Sequence, residues 1–187
     1  MTTATLERVT IAEFLARDDQ DDYELIDGEL KERCMSAKAV WVTTELGWFV
    51  AAFNRVARLG LFFTDGVQLE IFGGRYYLPR PDGIFISFGR LGSTRPPEGT
   101  LTAVPELVIE VVSPSDKAGD VDRKVRRYLQ AGVDMVWVAY PDTRSVHVFR
   151  RDGSSTPVTP PMSLEGENIL PGFSQPVADF FPAPVTE

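Results

Sequence analysis

The feature that most constrains the fold is a strand–helix–strand segment in the second half of the chain. PELVIEVV, at residues 105–112, and DMVWVAY, at residues 134–140, are apolar runs of strand length. Between them, residues 116–131 are predicted to form a helix that Gly132 closes from the usual C-cap position. RSVHVFR follows Pro141-Asp142 as a further strand. Together with the strands of the first half, this predicts an α/β fold with a mixed central β-sheet flanked by helices.

The first half of the chain adds two predicted helices and a series of short strands. Thr10 and Glu13 have capping-box spacing, which predicts a helix over residues 10–17, and Ser36 is the predicted N-cap of a long helix ending near Gly60. Residues 90–105 lack a periodic pattern and are predicted to be a loop. The remaining predicted elements are a hairpin in YELIDGELKE around Asp27-Gly28, and four short strands, LFF, VQLEIF, RYYL and GIFISF, split by Asp65-Gly66, Gly73-Gly74 and Pro81-Asp82-Gly83.

The length of 187 residues fits one domain, and no linker divides it, so residues 1–187 are predicted to form a single domain. A proline-rich segment from about residue 152 is expected to wrap the surface and to end in a short helix at VADFF. No apolar run is long enough to cross a membrane, and the N-terminus lacks the pattern of a signal peptide. With Cys34 as the only cysteine, the sequence predicts a cytoplasmic protein without an intrachain disulfide.

Composition and missing motifs exclude several kinds of site. The net charge of −8 means that any nucleic-acid surface must be local. The chain has no phosphate-binding glycine loop, no paired CxxC and no HExxH. His147 is the only histidine, and its alternating neighbours are typical of a half-exposed strand residue. The sequence therefore disfavours histidine-based triads and zinc sites.

Two carboxylates stand out as candidate metal ligands. Strand alternation places Glu110 on the same face as Val108 and Val112, where a carboxylate is costly unless it is paired or bound to a cation. The alternative is a strand-end glutamate that faces solvent or pairs with an arginine. Asp82 precedes a strand, although Pro-Asp-Gly is also a common turn. Carboxylates on neighbouring strands could converge on Mg²⁺, which typically takes one or two of them.

Two further side chains are candidates for the same site. Lys124 lies at the edge of the helical stripe formed by Val121, Val125, Tyr128 and Leu129, and we expect its ammonium to reach Glu110 or Asp82. The alternative is a lysine whose stem covers the core while its ammonium stays in water. Glu24, in YELIDG, is the other candidate, and its alternative is an exposed strand glutamate.

These motifs together resemble a known family. YELIDGEL, Pro81-Asp82, ELVIEVVSPSD, Asp122-Arg123-Lys124 with Tyr128, and AGVDMVWVAYPD resemble the Uma-two family, a group of endonucleases within the PD-(D/E)XK, restriction-endonuclease-like superfamily. The resemblance covers residues 10–180 approximately. It implies a metal held by Asp82 and Glu110, phosphodiester hydrolysis with Mg²⁺ or Mn²⁺, and DNA as substrate. Lys124 would orient the attacking water or stabilise charge that develops on the phosphate, and Glu24 would be an additional metal ligand or would support the ligands from outside.

The chain departs from the family pattern at two places. The superfamily's usual lysine position, two residues after the glutamate, is Val112 here, and the lysine maps instead to Lys124. Members often carry a histidine near the start of the long helix, where this chain has Lys38-Ala39-Val40. A catalytically inactive binding or scaffold protein, or a metal-dependent hydrolase of small phosphorylated molecules, therefore stays as an alternative function.

The long predicted helix also suggests self-association. Residues such as Trp41, Trp48 and Phe49 exceed what one helix face needs to bury. The surplus aromatic surface predicts a homodimer.

Overall fold

A computed structural model describes residues 8–64 and 66–183. It contains four α-helices, two 3₁₀-helices and ten strands within those residues. The α-helices are α1 (Ile11–Leu15), α2 (Ala37–Ala57), α3 (Phe88–Leu91) and α4 (Ala118–Gln130), and the 3₁₀-helices span Gln20–Asp22 and Val177–Phe180. The strands are β1 (Tyr23–Ile26), β2 (Glu29–Glu32), β3 (Gly60–Thr64), β4 (Gly83–Ser87), β5 (Leu107–Val111), β6 (Met135–Tyr140), β7 (Ser145–Arg150), β8 (Ser155–Val158), β9 (Ser163–Glu165) and β10 (Ser174–Pro176).

The central sheet has six strands in the order β3-β4-β5-β6-β7-β8. Only β5 and β6 pair in parallel, and α4 is the crossover between them. The other neighbours are antiparallel, so the sheet is mixed. β1 and β2 form a separate two-stranded hairpin, and β9 pairs with β10. The α/β class with a mixed sheet flanked by helices is confirmed.

Each face of the sheet is covered by one long helix, because successive strand residues point to opposite faces. On one face, Leu107, Ile109 and Trp137 are buried with the apolar side of α2. On the other, Val108, Val136 and Val138 are buried with Val125 and Tyr128 of α4. Glu110 belongs to the strand positions of this second face, so it points toward α4.

The helix caps follow the sequence signals. Thr10 and Glu13 form a reciprocal capping box at α1, and the Ser36 hydroxyl accepts a hydrogen bond from the Ala39 amide at the start of α2. At the end of α4, Gly132 has φ of +103° and donates to the Leu129 carbonyl, while the Val133 amide donates to Tyr128. This pair of bonds is a Schellman motif, which satisfies the last carbonyls of the helix and fixes its end beneath the sheet.

The prediction of consecutive strands between Leu61 and Phe88 is wrong for VQLEIF and RYYL. Neither forms a strand: Leu69 and Leu78 make only isolated bridges, to Leu101 and Leu25. Gly73 and Gly74 both have positive φ, and this segment distributes its backbone hydrogen bonds among the hairpin, its own residues and the loop before β5. The predicted Asp65-Gly66 turn includes Asp65, which lies outside the described residues. The predicted loop over residues 90–105 begins instead with the last residues of α3.

The proline-rich segment from residue 152 does more than wrap the surface. It supplies β8, the edge strand of the central sheet, and the β9–β10 pair. Its apolar side chains complete the core on the α2 face; they include Val158, Leu164, Leu170, Phe173, Val177 and Phe180. The short helix predicted at VADFF is present as a 3₁₀-helix. Within the described part of the chain, no helix is both long enough and apolar enough to span a membrane.

Candidate active site

Asp82 lies immediately before β4, opposite Glu110 of the adjacent strand. The antiparallel register pairs Gly83 with Ile109, so Asp82 and Glu110 occupy the next opposed positions. Asp82 is 8% exposed, and its Oδ2 accepts a 2.7 Å hydrogen bond from the Val111 amide. Burial raises the pKa of Asp82 to about 8, the nearby Glu110 carboxylate adds to the increase, and the Val111 hydrogen bond opposes it. The sheet thus holds two carboxylates close enough to repel each other.

Glu110 is fixed from the helix side by two residues of α4. The Tyr128 hydroxyl donates to Glu110 Oε1 at 2.6 Å, and Lys124 Nζ lies 3.3 Å from Glu110 Oε2. Burial raises the pKa of Glu110, while the Lys124 ammonium acts in the opposite direction. One turn of α4 separates Lys124 from Tyr128, so a single helix face supplies both partners.

Lys124 bridges Glu110 and Glu24. Its Nζ lies 2.9 Å from Glu24 Oε2 and 3.1 Å from Oε1, in addition to its contact with Glu110. Burial alone would lower the pKa of the Lys124 ammonium, but Glu110 and Glu24 outweigh that effect and raise it. The ammonium therefore stays charged at neutral pH.

Glu24 is in turn fixed by the chain segment that leads to Asp82. Its Oε1 accepts a 2.7 Å hydrogen bond from the amide of Arg80. The Arg80 side chain is buried, and its guanidinium contacts the Asp21 carbonyl at 3.0 Å and the Asp21 carboxylate at 2.8 Å. These contacts connect the hairpin to the residues just before β4.

The structure brings together all four side chains singled out in the sequence. The prediction that the Lys124 ammonium reaches Glu110 is confirmed by the 3.3 Å contact. The sequence analysis placed Tyr128 in the apolar stripe and in the family motif but did not predict its hydroxyl as a partner of Glu110. The signal was its spacing of one turn from Lys124, which places the hydroxyl beside the same carboxylate. It also missed Arg80, whose role depends on a loop path that no periodicity reveals.

The donor set fits a small, oxygen-liganded cation with few protein ligands. In the described residues, no group of three or more His, Cys, Asp and Glu side chains could hold a metal by itself. Asp82 and Glu110 are two carboxylates, the number that Mg²⁺ commonly takes from a protein when waters and phosphate oxygens complete its shell. Glu24 is engaged by Lys124 and Arg80, so it is less suited to direct coordination.

The site opens toward a cleft of about 540 Å³ between the hairpin and α4. Its lining has charges of both signs, including Lys117, Arg123 and Arg127 opposite Glu29 and Glu32. A much smaller pocket, of about 40 Å³, lies directly against Glu110 and Lys124. Charged groups of a ligand in the larger cleft would thus approach Glu24 and Lys124, which line it, from the hairpin side.

The remaining sequence candidates lie outside this cluster. His147 is half-buried in β7, and its ring centroid lies 4.9 Å from that of Tyr140 and 6.3 Å from that of Phe149. These ring contacts agree with the structural interpretation of His147. Lys38, near the start of α2, pairs with Asp142 at 2.8 Å.

Comparisons with known proteins identify the family. A solved structure described as "a putative nuclease belonging to DUF820 from Anabaena variabilis" shares the fold, with a TM-score of 0.76 and 20% sequence identity over 92% of this chain and 97% of that chain. Among curated proteins, none matches this chain. The family model Uma2, described as "Putative restriction endonuclease", matches residues 11–178. The resemblance recognised in the sequence is confirmed: the chain belongs to the Uma2 family.

Proposed function

We propose that the protein is a divalent-metal-dependent endonuclease that hydrolyses phosphodiester bonds in DNA. The observation that carries this proposal is the placement of Asp82 and Glu110 on adjacent strands, with the Lys124 ammonium in contact with Glu110. Burial raises the pKa of both carboxyl groups. Strongly perturbed carboxyl groups in a cleft are typical of sites that bind a cation or transfer protons. Membership of a nuclease family supports the same reaction class.

Asp82 and Glu110 would hold Mg²⁺ or Mn²⁺. When bound, the cation would polarise the scissile phosphate and lower the pKa of a water ligand. Its binding would also remove the repulsion between the two carboxylates, which otherwise favours their protonated forms. The chain holds the two carboxylates at opposed positions, Glu110 on β5 and Asp82 just before β4. The Tyr128 hydroxyl fixes one oxygen of Glu110, and the Val111 amide fixes one oxygen of Asp82.

Lys124 would act as a fixed positive charge. Because the adjacent carboxylates raise the pKa of its ammonium, Lys124 cannot serve as a general base at neutral pH. It would orient the attacking water or stabilise negative charge that develops on the phosphate. Glu24 would keep the ammonium in place through its two oxygens and is a positioning residue in this scheme, rather than a direct metal ligand.

A cleavage assay tests the proposal directly. Plasmid and linear duplex DNA are incubated with the protein in Mg²⁺, in Mn²⁺ and in EDTA, beside the variants Asp82→Asn and Asp122→Asn. Asp122 is exposed and pairs with Arg126, so its variant controls for the loss of one negative charge. We expect cleavage only with metal, loss of cleavage in Asp82→Asn and normal cleavage in Asp122→Asn.

The alternatives predict different results in the same experiment. A scaffold protein would cleave no DNA in any metal across a broad panel. A hydrolase of small phosphorylated molecules would release phosphate from such compounds in Mn²⁺ and leave DNA intact. Either result would overturn the endonuclease proposal.

We also propose that α2 mediates a homodimer. Trp41 and Trp48 are 51% and 61% exposed, whereas Phe49 packs inward, with its ring centroid 5.7 Å from that of Phe180. The surplus aromatic surface therefore comes from the two tryptophans and not from Phe49. Val40 and Val56 of the same helix are exposed as well. A row of large apolar side chains on one helix is typical of an association surface.

A further inference from the structure

Arg127 and Tyr77 lie where two clefts meet. Both residues, together with Asp27, line the cleft beside the four site residues and a second cleft of about 600 Å³ next to Gly73 and Gly74. The Arg127 guanidinium stacks over the Tyr77 ring, 4.2 Å from its centroid, and pairs with the Asp27 carboxylate at 2.7 Å. A ligand that extends from one cleft to the other would pass these three side chains.

The Tyr77 hydroxyl is a buried donor without an acceptor. The residue is 8% exposed, and within residues 8–64 and 66–183 its hydroxyl has no acceptor; the neighbouring Arg127 guanidinium can only donate to it. Buried polar groups are nearly always paired, so an unpaired hydroxyl beside a cleft calls for a partner that the chain does not supply. Burial raises the pKa of Tyr77 to about 12, so the hydroxyl keeps its proton. An acceptor, and not a donor, is the partner that it needs.

Arg127 continues the row of positive charge that begins at Lys124. The two residues are three positions apart on α4, so their side chains lie on the same helix face. Lys124 contacts Glu24, and Arg127 contacts Asp27. The two acidic residues are also three positions apart, along the hairpin. The side chains of Arg127 and Asp27 are 29% and 43% exposed. An exposed pair of this kind is held weakly, so another anion can replace the aspartate.

We propose that Arg127 and the Tyr77 hydroxyl bind a second backbone phosphate of the nucleic-acid substrate, next to the scissile one. In the free protein, the Asp27 carboxylate occupies the place of that phosphate. The planar guanidinium suits a phosphate because it can donate two parallel hydrogen bonds. This inference rests on the proposed nuclease function and adds to it a contact outside the metal site.

The test compares DNA affinity in four variants, without cleavage. Fluorescein-labelled duplex and single-stranded DNA are titrated with the full chain in Ca²⁺ and in EDTA, and binding is followed by fluorescence anisotropy. The variants are Asp27→Asn, Arg127→Gln, Tyr77→Phe and, as the matched control, Arg126→Gln. Arg126 belongs to the same helix but is 72% exposed and pairs with Asp122. Asparagine suits position 27, because that residue has φ of +57° in the hairpin turn and Asn tolerates this region.

The expected changes have opposite signs. Asp27→Asn removes the competing carboxylate and tightens DNA binding about twofold to fivefold. Arg127→Gln weakens binding about tenfold and lowers the slope of log affinity against log salt concentration by about one. Tyr77→Phe weakens binding about fivefold while its melting temperature stays equal to or above that of the wild type, because the hydroxyl has no acceptor in the chain and Arg127 keeps its pair with Asp27. Arg126→Gln has a smaller effect than Arg127→Gln on both affinity and slope.

Other results separate the two proposals. If Arg127→Gln and Asp27→Asn behave like Arg126→Gln in a protein that cleaves DNA in Mn²⁺, the phosphate contact is wrong and the nuclease function stands. If the variants shift DNA affinity as expected but the protein cleaves nothing, the contact stands and the nuclease function fails. If neither the wild type nor Asp27→Asn binds either DNA, the contact is wrong. A lower melting temperature in Tyr77→Phe would assign its hydroxyl a structural partner and overturn its role.

Discussion

The Tyr128 hydroxyl donates a 2.6 Å hydrogen bond to Glu110 Oε1, which joins the α4 helix to the proposed metal ligand. The bond lowers the pKa of Glu110 and opposes the larger effect of burial. Tyr128 itself is fully buried and packs against Phe72, with ring centroids 5.8 Å apart. Core packing therefore sets the position of the Tyr128 hydroxyl, which in turn orients Glu110.

Tyr128→Phe should weaken metal binding while keeping the fold. Without the hydroxyl, Glu110 loses a hydrogen bond that lowers its pKa, so protons compete more strongly with the metal for this carboxylate. We expect Mn²⁺ affinity to fall about tenfold, as for other residues that orient a metal ligand. Calorimetric titration at about pH 7 and about pH 9 measures it, and the loss should shrink at the higher pH because fewer protons then compete with the metal for the carboxylate. Tyr140→Phe is the control, and equal affinities in both variants would contradict the prediction.

Lys124→Met should abolish cleavage and also lower stability. The substitution leaves Glu24 and Glu110 without the ammonium that bridges them, and breaking a partly buried ion pair costs about 2 kcal/mol or more. The rate should fall by about a hundredfold or more, because a fixed charge beside the reacting phosphate is lost. Thermal unfolding and single-turnover cleavage measure the two effects, with Arg126→Met as the control.

A double variant separates the two effects of Lys124. Adding Glu24→Gln to Lys124→Met removes one of the two unbalanced carboxylates and should recover part of the lost stability without restoring cleavage. Recovery of cleavage would show that Lys124 serves only to balance charge.

Asp82→Asn should change how stability depends on pH in EDTA. The folded pKa of Asp82, about 8, lies above its ordinary value of 3.8. A carboxyl whose pKa is raised by folding stabilises the protein fully below its unfolded pKa, and this contribution is lost as pH rises through the folded pKa. The wild type should therefore lose stability between about pH 4 and about pH 8, and Asp82→Asn should lose less.

At about pH 8, the wild type is expected to have lost about 1 kcal/mol or more of stability beyond the loss in Asp82→Asn. This corresponds to about 2–4 °C in melting temperature for a chain of this length. Mn²⁺ should stabilise the wild type and not the variant. Identical pH profiles for the two proteins would contradict the burial of an ionisable Asp82.

Replacing both exposed tryptophans of α2 should disrupt self-association. Trp41→Ser with Trp48→Ser removes most of the aromatic surface while leaving Phe49 packed against Phe180. Sedimentation equilibrium should then show a dimer for the wild type and a monomer for the double variant. A monomeric wild type at high concentration would overturn the dimer proposal. Met162→Ser, an exposed apolar residue of the tail, is the control.

Much of the site could be predicted because local patterns determine it. Strand alternation predicts the face of Glu110, and the apolar stripe of α4 predicts which way Lys124 points. With the crossover helix folding back over its own strand, these two faces must meet. The local patterns therefore favour the contact between Lys124 and Glu110 that the structure shows.

The rest of the site depends on the course of the backbone through irregular segments, which no local sequence pattern determines. Residues 67–78 have the sequence pattern of two strands. Their backbone groups instead make single hydrogen bonds to several different segments, and this path of the chain places Arg80 beside Glu24. The pairing of Asp27 with Arg127 depends on the hairpin packing against α4. The role of the tail in the core could not be predicted either. Its prolines suggest a path over the surface, whereas its apolar side chains fill the core.

The two ion pairs between the hairpin and α4 also constrain how the chain folds during synthesis. Each joins residues 100 positions apart, Glu24 with Lys124 and Asp27 with Arg127. Contacts of such separation form late, because the chain must first lose the entropy of closing a long loop. During synthesis, the hairpin emerges long before its helical partner. A half-made chain therefore lacks both ion pairs, and the four site residues can come together only after α4 has been synthesised.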